Sequence, residues 1–237
     1  MKHIFFINGD SYIDSSYTKG EFIMKIGIIG ASGQVGSHII REALLRKHET
    51  TAIVLNKDTL PSTTLSLEKD LFSLTTDHIQ IFEYIINAFA PVPNDEKKYV
   101  EATEHLLTIL QPTNTKLFMI GSSGCLFLNE AKKKRLLETD DYPEHLTTIS
   151  KYQLESLQQL KQSSVNWTWL NPAKMFDAEG HRVGYYKIGK EVLIVNEQQQ
   201  SYISYGDFAV VVLDEIEKPQ HLNKVFTAAS DQTTTAS

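Results

Sequence analysis

From residue 25 onward, short apolar runs alternate with longer stretches in which apolar residues recur every three or four positions. Ile26-Gly27-Ile28-Ile29 is a short apolar run closed by Gly30, the pattern of a strand buried on both faces. Between Gln34 and Arg46, Val35, Ile39, Ile40, Ala43 and Leu44 fall at helical spacing, with Arg41, Glu42, Arg46 and Lys47 between them. Further strands are predicted over 51–55, 65–67, 84–87, 116–120, 165–170 and 225–228. Helices are predicted over about 95–110, 145–161 and 208–217. Pro112 stops the first of these, and Ser204 with Asp207 three residues on is a helix-start signal for the last. Strand–helix–strand order with short links implies a parallel sheet covered by helices on both faces, a doubly wound three-layer α/β fold of the Rossmann type.

Composition narrows the class without changing it. A chain of 237 residues, 41% hydrophobic and 22% charged, can bury a full core in one domain, so neither disulfides nor a structural metal are needed to hold it. The net charge of −6 argues against nucleic-acid or anionic-membrane partners, and no apolar stretch reaches the ~20 residues of a membrane-spanning helix. The single Cys125 excludes an intrachain disulfide and suits a reducing, cytoplasmic setting. Residues 1–23 are polar and turn-rich after Ile4-Phe5-Phe6-Ile7, and Met24-Lys25 opens the first clean strand. We therefore expect residues 1–23 to be an extension outside the core, with an added edge strand as the alternative, and 24–237 to be the domain. Only Thr233–Ser237 is low in complexity.

The sharpest chemical signal is Gly30-Ala31-Ser32-Gly33-Gln34-Val35-Gly36, set between a predicted strand and an amphipathic helix. Glycine is required where the chain turns sharply, where a phosphate approaches the main chain, and where helix packs closely on strand. The exposed amides opening the helix then meet a pyrophosphate, aided by the helix dipole. With a second strand following at 51–55, the loop points to a dinucleotide. Its G-x-x-G-x-x-G spacing is the version found in short-chain dehydrogenase/reductase proteins. An acid about 20 residues beyond the glycines would hold an adenosine ribose; that count lands on Asn56, followed by Lys57 and Asp58. Lys57 can meet a 2′-phosphate, which tilts the expectation from NAD towards NADP, while Asp58 could still serve NADH.

Several pieces together give the chain a family likeness. They are MKIGIIGASGQVGSHI at 24–39, Asn87-Ala88-Phe89, Gly121-Ser122-Ser123-Gly124, Asn171-Pro172-Ala173 with Phe176, Gly184-Tyr185-Tyr186, and Ile203-Ser204-Tyr205-Gly206-Asp207-Phe208-Ala209. From Met24 to about Ala229 the chain resembles the atypical short-chain reductases of the NAD(P)H-binding, NADH-flavin reductase-like group, relatives of biliverdin/flavin reductase and of NmrA-like proteins. The resemblance implies that Ser32, Gly33, Gln34 and Val35 contact the pyrophosphate, with Gly30 and Gly36 shaping the turn. It places Asp70 beside the adenine and has Ala88, Phe89 and Ala90 line the adenosine pocket. Gly121, Ser122, Ser123, Pro172, Ala173 and Phe176 then lie towards the nicotinamide. One departure concerns cofactor choice: the group often carries arginine where this chain has Leu55.

Alcohol-oxidising members use a Tyr-x-x-x-Lys pair, the lysine lowering the tyrosine pKa so that its hydroxyl moves a proton. Here Tyr152 is followed at that spacing by Ser156 and Tyr142 by Leu146. Tyr186 does precede Lys190, but beyond the sixth predicted core strand, where chance explains it better. Flavin reduction suits this gap, because hydride passes directly between two stacked rings and solvent supplies the proton. The expected activity is therefore hydride transfer from NAD(P)H to a flavin such as FMN or riboflavin, or to a similar planar acceptor. A non-catalytic NmrA-like redox sensor is the alternative, and an epimerase or dehydratase suffers directly from the missing pair. Ser122 and Ser123 are the candidate catalytic hydroxyls. Phe176, His181, Tyr185 and Tyr186, within a substrate loop at about 174–200, are the candidate substrate contacts.

Other features read more simply. Gly121–Cys125 lacks the last glycine of a hydrolase elbow, so a nucleophilic serine is disfavoured. The eight histidines never pair at metal-ligand spacing, so no metal is expected. Lys132-Lys133-Lys134-Arg135 is followed by Glu138, Asp140 and Asp141 and reads as a self-neutralising segment. The expected partner is a small-molecule acceptor, with the protein a monomer or homodimer.

Overall fold

Two apolar layers flank every central strand of the computed structural model, which describes residues 3–7, 10–14 and 23–232. In order the elements are β1 (His3–Ile7), β2 (Asp10–Asp14), β3 (Lys25–Ile29), α1 (Gln34–Leu45), β4 (Glu49–Val54), β5 (Ser66–Glu68), α2 (Thr76–Ile79), β6 (Tyr84–Asn87) and α3 (Lys98–Leu110). There follow β7 (Lys116–Ile120), α4 (Glu144–Gln162), β8 (Trp167–Asn171), β9 (Met175–Asp177), β10 (Tyr185–Gly189), β11 (Tyr202–Ser204), α5 (Tyr205–Glu217) and β12 (Lys224–Ala229). Ile26 and Ile28 of β3 pack with Ile39, Ile40 and Ala43 of α1 and with Phe208–Ile216 of α5. Ile29 joins the opposite layer with Ala102, Leu106 and Ile109 of α3 and Leu157 and Leu160 of α4. Alternation along the strand therefore feeds two cores, and the result is helix, sheet, helix.

The strand order is β1-β2-β10-β12-β8-β7-β6-β3-β4-β5. All pairs from β5 to β12 are parallel, as the strand–helix alternation predicts. From β3 the chain steps outward through β4 to β5, then returns so that β6 lies on the other side of β3. This reversal is the topological switch point, where an open α/β sheet leaves a crevice beyond its strand ends.

The described elements differ from the local reading at several points. The sixth core strand starts at Trp167 rather than at 165. The stretch at 174–200 holds two strands: β9 pairs in parallel with β11, and β10 runs antiparallel to β12. Both pairings join residues far apart in sequence, so no local pattern announces them. Finally, β1 and β2 form a hairpin that continues the sheet beyond β10, with Tyr185 opposite Asp14 and Tyr186 opposite Ile13. The remainder of 1–22, and the low-complexity tail 233–237, lie outside the described residues.

An ionic cluster ties α1 to α5. Arg46 donates to Glu42 at 3.0 Å, Asp214 at 2.8 Å and Glu217 at 3.1 Å, and His48 meets Glu217 at 2.9 Å. Burial would lower the Arg46 pKa, but Asp214, Glu217 and Glu42 outweigh it and raise it. No described helix is long and apolar enough to cross a membrane. No cluster of three His, Cys, Asp or Glu suited to a metal occurs among the described residues.

Candidate functional site

The ends of β4, β3, β6, β7 and β8 lie side by side in the sheet, so the segments that follow them form one continuous edge. At its centre is the glycine loop. Gly30 has φ +73°, and a Cβ there would come within 2.7 Å of the Ala88 carbonyl oxygen, so only glycine lets the loop lie against the end of β6. A Cβ on Gly36 would sit 2.2 Å from the Gly30 oxygen, which lets α1 start directly against the strand end. Gly33 is the N-cap of α1 and therefore offers no side-chain cap, and the first turn holds no acid. The amides opening α1 accordingly lack a side-chain partner from the cap and face the crevice with the positive end of the helix dipole. At Gly33 an added Cβ would meet only the Gly30 oxygen, at 3.1 Å. The result is an uncapped helix start formed by main chain and kept open by absent side chains, the kind of geometry that suits an anion.

On the β4 side, Asn56 and Lys57 are exposed just past the strand end, and Leu55 is 72% exposed. The Asn56 side-chain oxygen accepts from Asp58 N at 2.8 Å and so caps its own turn. Lys57 is thus an exposed cation just past the end of β4. Asp70 is exposed after β5 and its carboxylate accepts from Phe72 N at 2.8 Å. Ala88 and Phe89 are half-buried and Ala90 exposed beyond β6. Phe89 meets Phe72 and Tyr99 edge-on, at ring separations of 6.2 and 6.5 Å. A cavity of about 420 Å³ lies between α1 and the turn at 59–64, sharing Ala31 and Ser32 with the glycine loop.

Beyond β7 and β8 lies the other half of the edge. Gly121 is buried against Trp169 and Asn171; a Cβ there would fall 2.2 Å from both side chains. Ser122 is half-buried, and its hydroxyl lies 2.8 Å from that of Ser150 and 3.3 Å from that of Tyr142. Ser123 is buried with its hydroxyl 3.3 Å from Tyr142. The candidate serines therefore share a knot of hydroxyls, and the described contacts bring no lysine or carboxylate into it. Ser150 escaped the sequence reading, and Tyr142 entered it only as a tyrosine lacking its lysine, because no spacing rule links the approach to α4 with the turn after β7. Asn171, Pro172 and Ala173 are buried at the end of β8. Phe176 packs on Tyr205 at 4.2 Å and Phe208 at 4.8 Å, and Tyr205 in turn meets His38 of α1 at 5.9 Å.

The four candidate substrate contacts separate in space. Phe176 is half-buried, and His181 and Tyr185 are exposed. Tyr186 points the other way: it is 1% exposed and donates to Asp214 at 2.6 Å, joining the Arg46 cluster. Burial first, and Asp214 second, push its pKa up, and its buried hydroxyl is engaged by Asp214 within the α1–α5 layer. Lys190 is exposed, which leaves the Tyr186/Lys190 spacing without a partnership. The loop that bears His181 is tied down by Asp207, which accepts from Val183 N and Gly184 N at 2.8 Å each while Ser204 donates to it at 3.0 Å. The helix-start signal at Ser204–Asp207 thus has a second task, anchoring this loop.

Cys125 is fully buried, and burial pushes its thiol up to about 12, the setting of an inert core cysteine. The basic run is dispersed: Lys132 pairs with Glu191 at 2.8 Å, while Arg135 stacks on Phe127 and donates to the Cys125 carbonyl.

Comparison with known proteins agrees with this architecture. The family model described as NAD(P)H-binding matches residues 30–219. The uncharacterised YwnB protein of Bacillus subtilis is 45% identical over 211 residues, covering 88% of this chain and 99% of that protein. A crystal structure of a candidate NADH-flavin reductase from Streptococcus pneumoniae superposes with a TM-score of 0.83 at 34% identity, covering 88% of this chain and all of that one. A candidate epimerase from Bacteroides thetaiotaomicron superposes with a TM-score of 0.75 at 29% identity, covering 90% of this chain and all of that one.

Proposed function

Because the chain belongs to the NAD(P)H-binding family, with its glycine loop inside the matched segment, we propose that it is a reductase that passes hydride from NAD(P)H to a flavin or a similar planar, conjugated acceptor. The observation that carries this reading is the pairing of an open diphosphate cradle at Gly30–Gly36 with a nicotinamide end that holds hydroxyls but no tyrosine–lysine pair. When bound, the dihydronicotinamide supplies the hydride. The protein's own task is then to bind, align and exclude.

The opening amides of α1 hold the diphosphate. Ala88, Phe89 and Asp70 border the adenosine, and Ser122, Pro172, Ala173 and Phe176 border the nicotinamide. Lys57, exposed past β4 with no acid at 55–57, supports NADPH over NADH. Phe176, His181 and Tyr185 lie on the chain segment beside the acceptor. The resemblance to the S. pneumoniae protein in fold and identity supports a flavin as that acceptor.

The test is oxidation of NADPH and of NADH with FMN, riboflavin and a quinone in turn. Turnover with at least one planar acceptor, and a lower KM for NADPH, is the expected result. Tight cofactor binding without turnover on any of the three would overturn the reductase reading in favour of a sensor.

A further inference from the structure

The cavity between α1 and the turn at 59–64 has two unlike ends. Along α1 its wall passes from Ser37 through Arg41 to Leu44 and Leu45, and the turn adds Leu60 and Pro61. Residues 40–45 lie about 9–16 Å down the helix from Gln34 at 1.5 Å per residue, so most of this wall is separate from the start of α1. Only Ala31 and Ser32 are shared with the glycine loop. A volume of about 420 Å³ is that of a small-molecule site. Leu44 and Leu45 remain 46% and 61% exposed. Single surface leucines need no partner, but two that wall a cavity with Leu60 and Pro61 form an apolar patch. Arg41 is the one charged residue in the lining, and it has no hydrogen bond or ion pair among the described residues. The adjacent acid, Glu42, is taken by Arg46 and Arg182. Ser37 donates to the Gln34 carbonyl at 2.8 Å and Thr59 to the Asn56 carbonyl at 2.6 Å, so both hydroxyls have spent their protons on main chain. The guanidinium is therefore the charged donor of this end, and its two-pronged fork matches a carboxylate, whereas a phosphate calls for further donors.

We infer that this cavity is a second ligand site, which takes an aliphatic carboxylate of medium chain length. Arg41 holds the carboxylate, and the chain lies on Leu44, Leu45, Leu60 and Pro61. The stretch from Ser37 to Leu45 spans about 12 Å of helix, which sets the length of chain that the wall can cover. The site is independent of the reductase reading, since it uses neither the nicotinamide end nor the segment at 174–200. Selectivity for an anion is the telling property. A protein of net charge −6 attracts cations and repels anions over its surface as a whole, so a preference for the anion has to come from Arg41 locally.

The experiment titrates decanoate, decyltrimethylammonium and acetate calorimetrically into the full chain, with and without NADP+, keeping both amphiphiles below their micelle concentrations. Decanoate is expected to bind at one site per chain, roughly tenfold tighter than the cation of equal chain length, and acetate to give no heat. Arg41→Gln should lower decanoate affinity roughly tenfold and leave the cation no weaker. Leu45→Asp sets a carboxylate four residues from Arg41 on the same helix face and should abolish decanoate binding. Both side chains are exposed, so both variants should melt like the wild type and bind NADP+ unchanged. Absence of decanoate binding, equal binding of the cation, or an affinity within about threefold of wild type in Arg41→Gln overturns the inference. Displacement of decanoate by NADP+ puts the ligand in the cofactor crevice and overturns it too. Should Leu45→Asp fail to fold, Arg41→Gln decides alone.

Discussion

Replacing Gly33 separates what the glycine loop does for the fold from what it does for a ligand. A Cβ at this position meets only one protein atom, the Gly30 oxygen at 3.1 Å, and the backbone φ of −73° suits any L-residue. Alanine or valine there should therefore cost the fold only about 1 kcal/mol or less, chiefly because neither caps the helix as well as glycine. For a domain of this size that is a fall of roughly 2–4 °C in Tm. The new methyl groups would project into the space proposed for the diphosphate. Losing close approach of even two charge-assisted amide contacts, at about 1.5–3 kcal/mol each, predicts a hundredfold or greater loss of NADPH affinity. Gly36→Ala provides the contrast. Its Cβ would fall 2.2 Å from the Gly30 oxygen and 2.9 Å from the Ala31 Cα, both main-chain atoms that cannot rotate aside. Overpacking of about 1–3 kcal/mol outweighs the ~1 kcal/mol that alanine gains over glycine in a helix. This variant should thus lose stability as well as affinity. Calorimetric titration with NADPH alongside thermal melting reads both quantities. If Gly33→Val melts like the wild type and still binds NADPH within threefold, no diphosphate lies over the start of α1.

Further expectations follow from the same geometry. Arg46→Met leaves Glu42, Asp214 and Glu217 facing one another without their shared cation, a loss of about 3–5 kcal/mol visible as a Tm drop on the order of 10 °C; an unchanged melting curve would show the cluster to be dispensable. Cys125 should resist Ellman's reagent at pH 8 in the native state and react at once in guanidinium, since burial holds its thiol protonated. Burial, opposed by hydrogen bonds from Gly184, Ser204 and Val183, raises the Asp207 pKa above its ordinary value. The folded state therefore holds this proton to higher pH than the unfolded chain does. The group's contribution to stability falls as pH rises from the unfolded pKa through the raised one. Asp207→Asn should flatten that slope in melting curves taken upward in pH from the ordinary aspartate pKa, and an identical slope in both proteins would place the titration elsewhere.

The doubly wound sheet was legible because its causes are local. Buried parallel strands must be short apolar runs, as at Ile26–Ile29 and Tyr84–Asn87, and covering helices must repeat every three to four residues, as in α1. The glycine loop was legible for a related reason, since steric need at Gly30 and Gly36 leaves a visible absence of side chains. Strands β9, β10 and β11 were not, because what makes them strands is pairing across the chain. A period-2 pattern cannot show up in three to five residues read alone. The site divides in the same way. Main-chain geometry at the glycine loop is written in residue type and spacing. The knot of Ser122, Ser123, Tyr142 and Ser150, the Asp207 tether and the withdrawal of Tyr186 into the Arg46 cluster arise only when distant segments pack. A hydroxyl in sequence carries no direction, and its role depends on which donor or acceptor the fold sets within 3 Å of it.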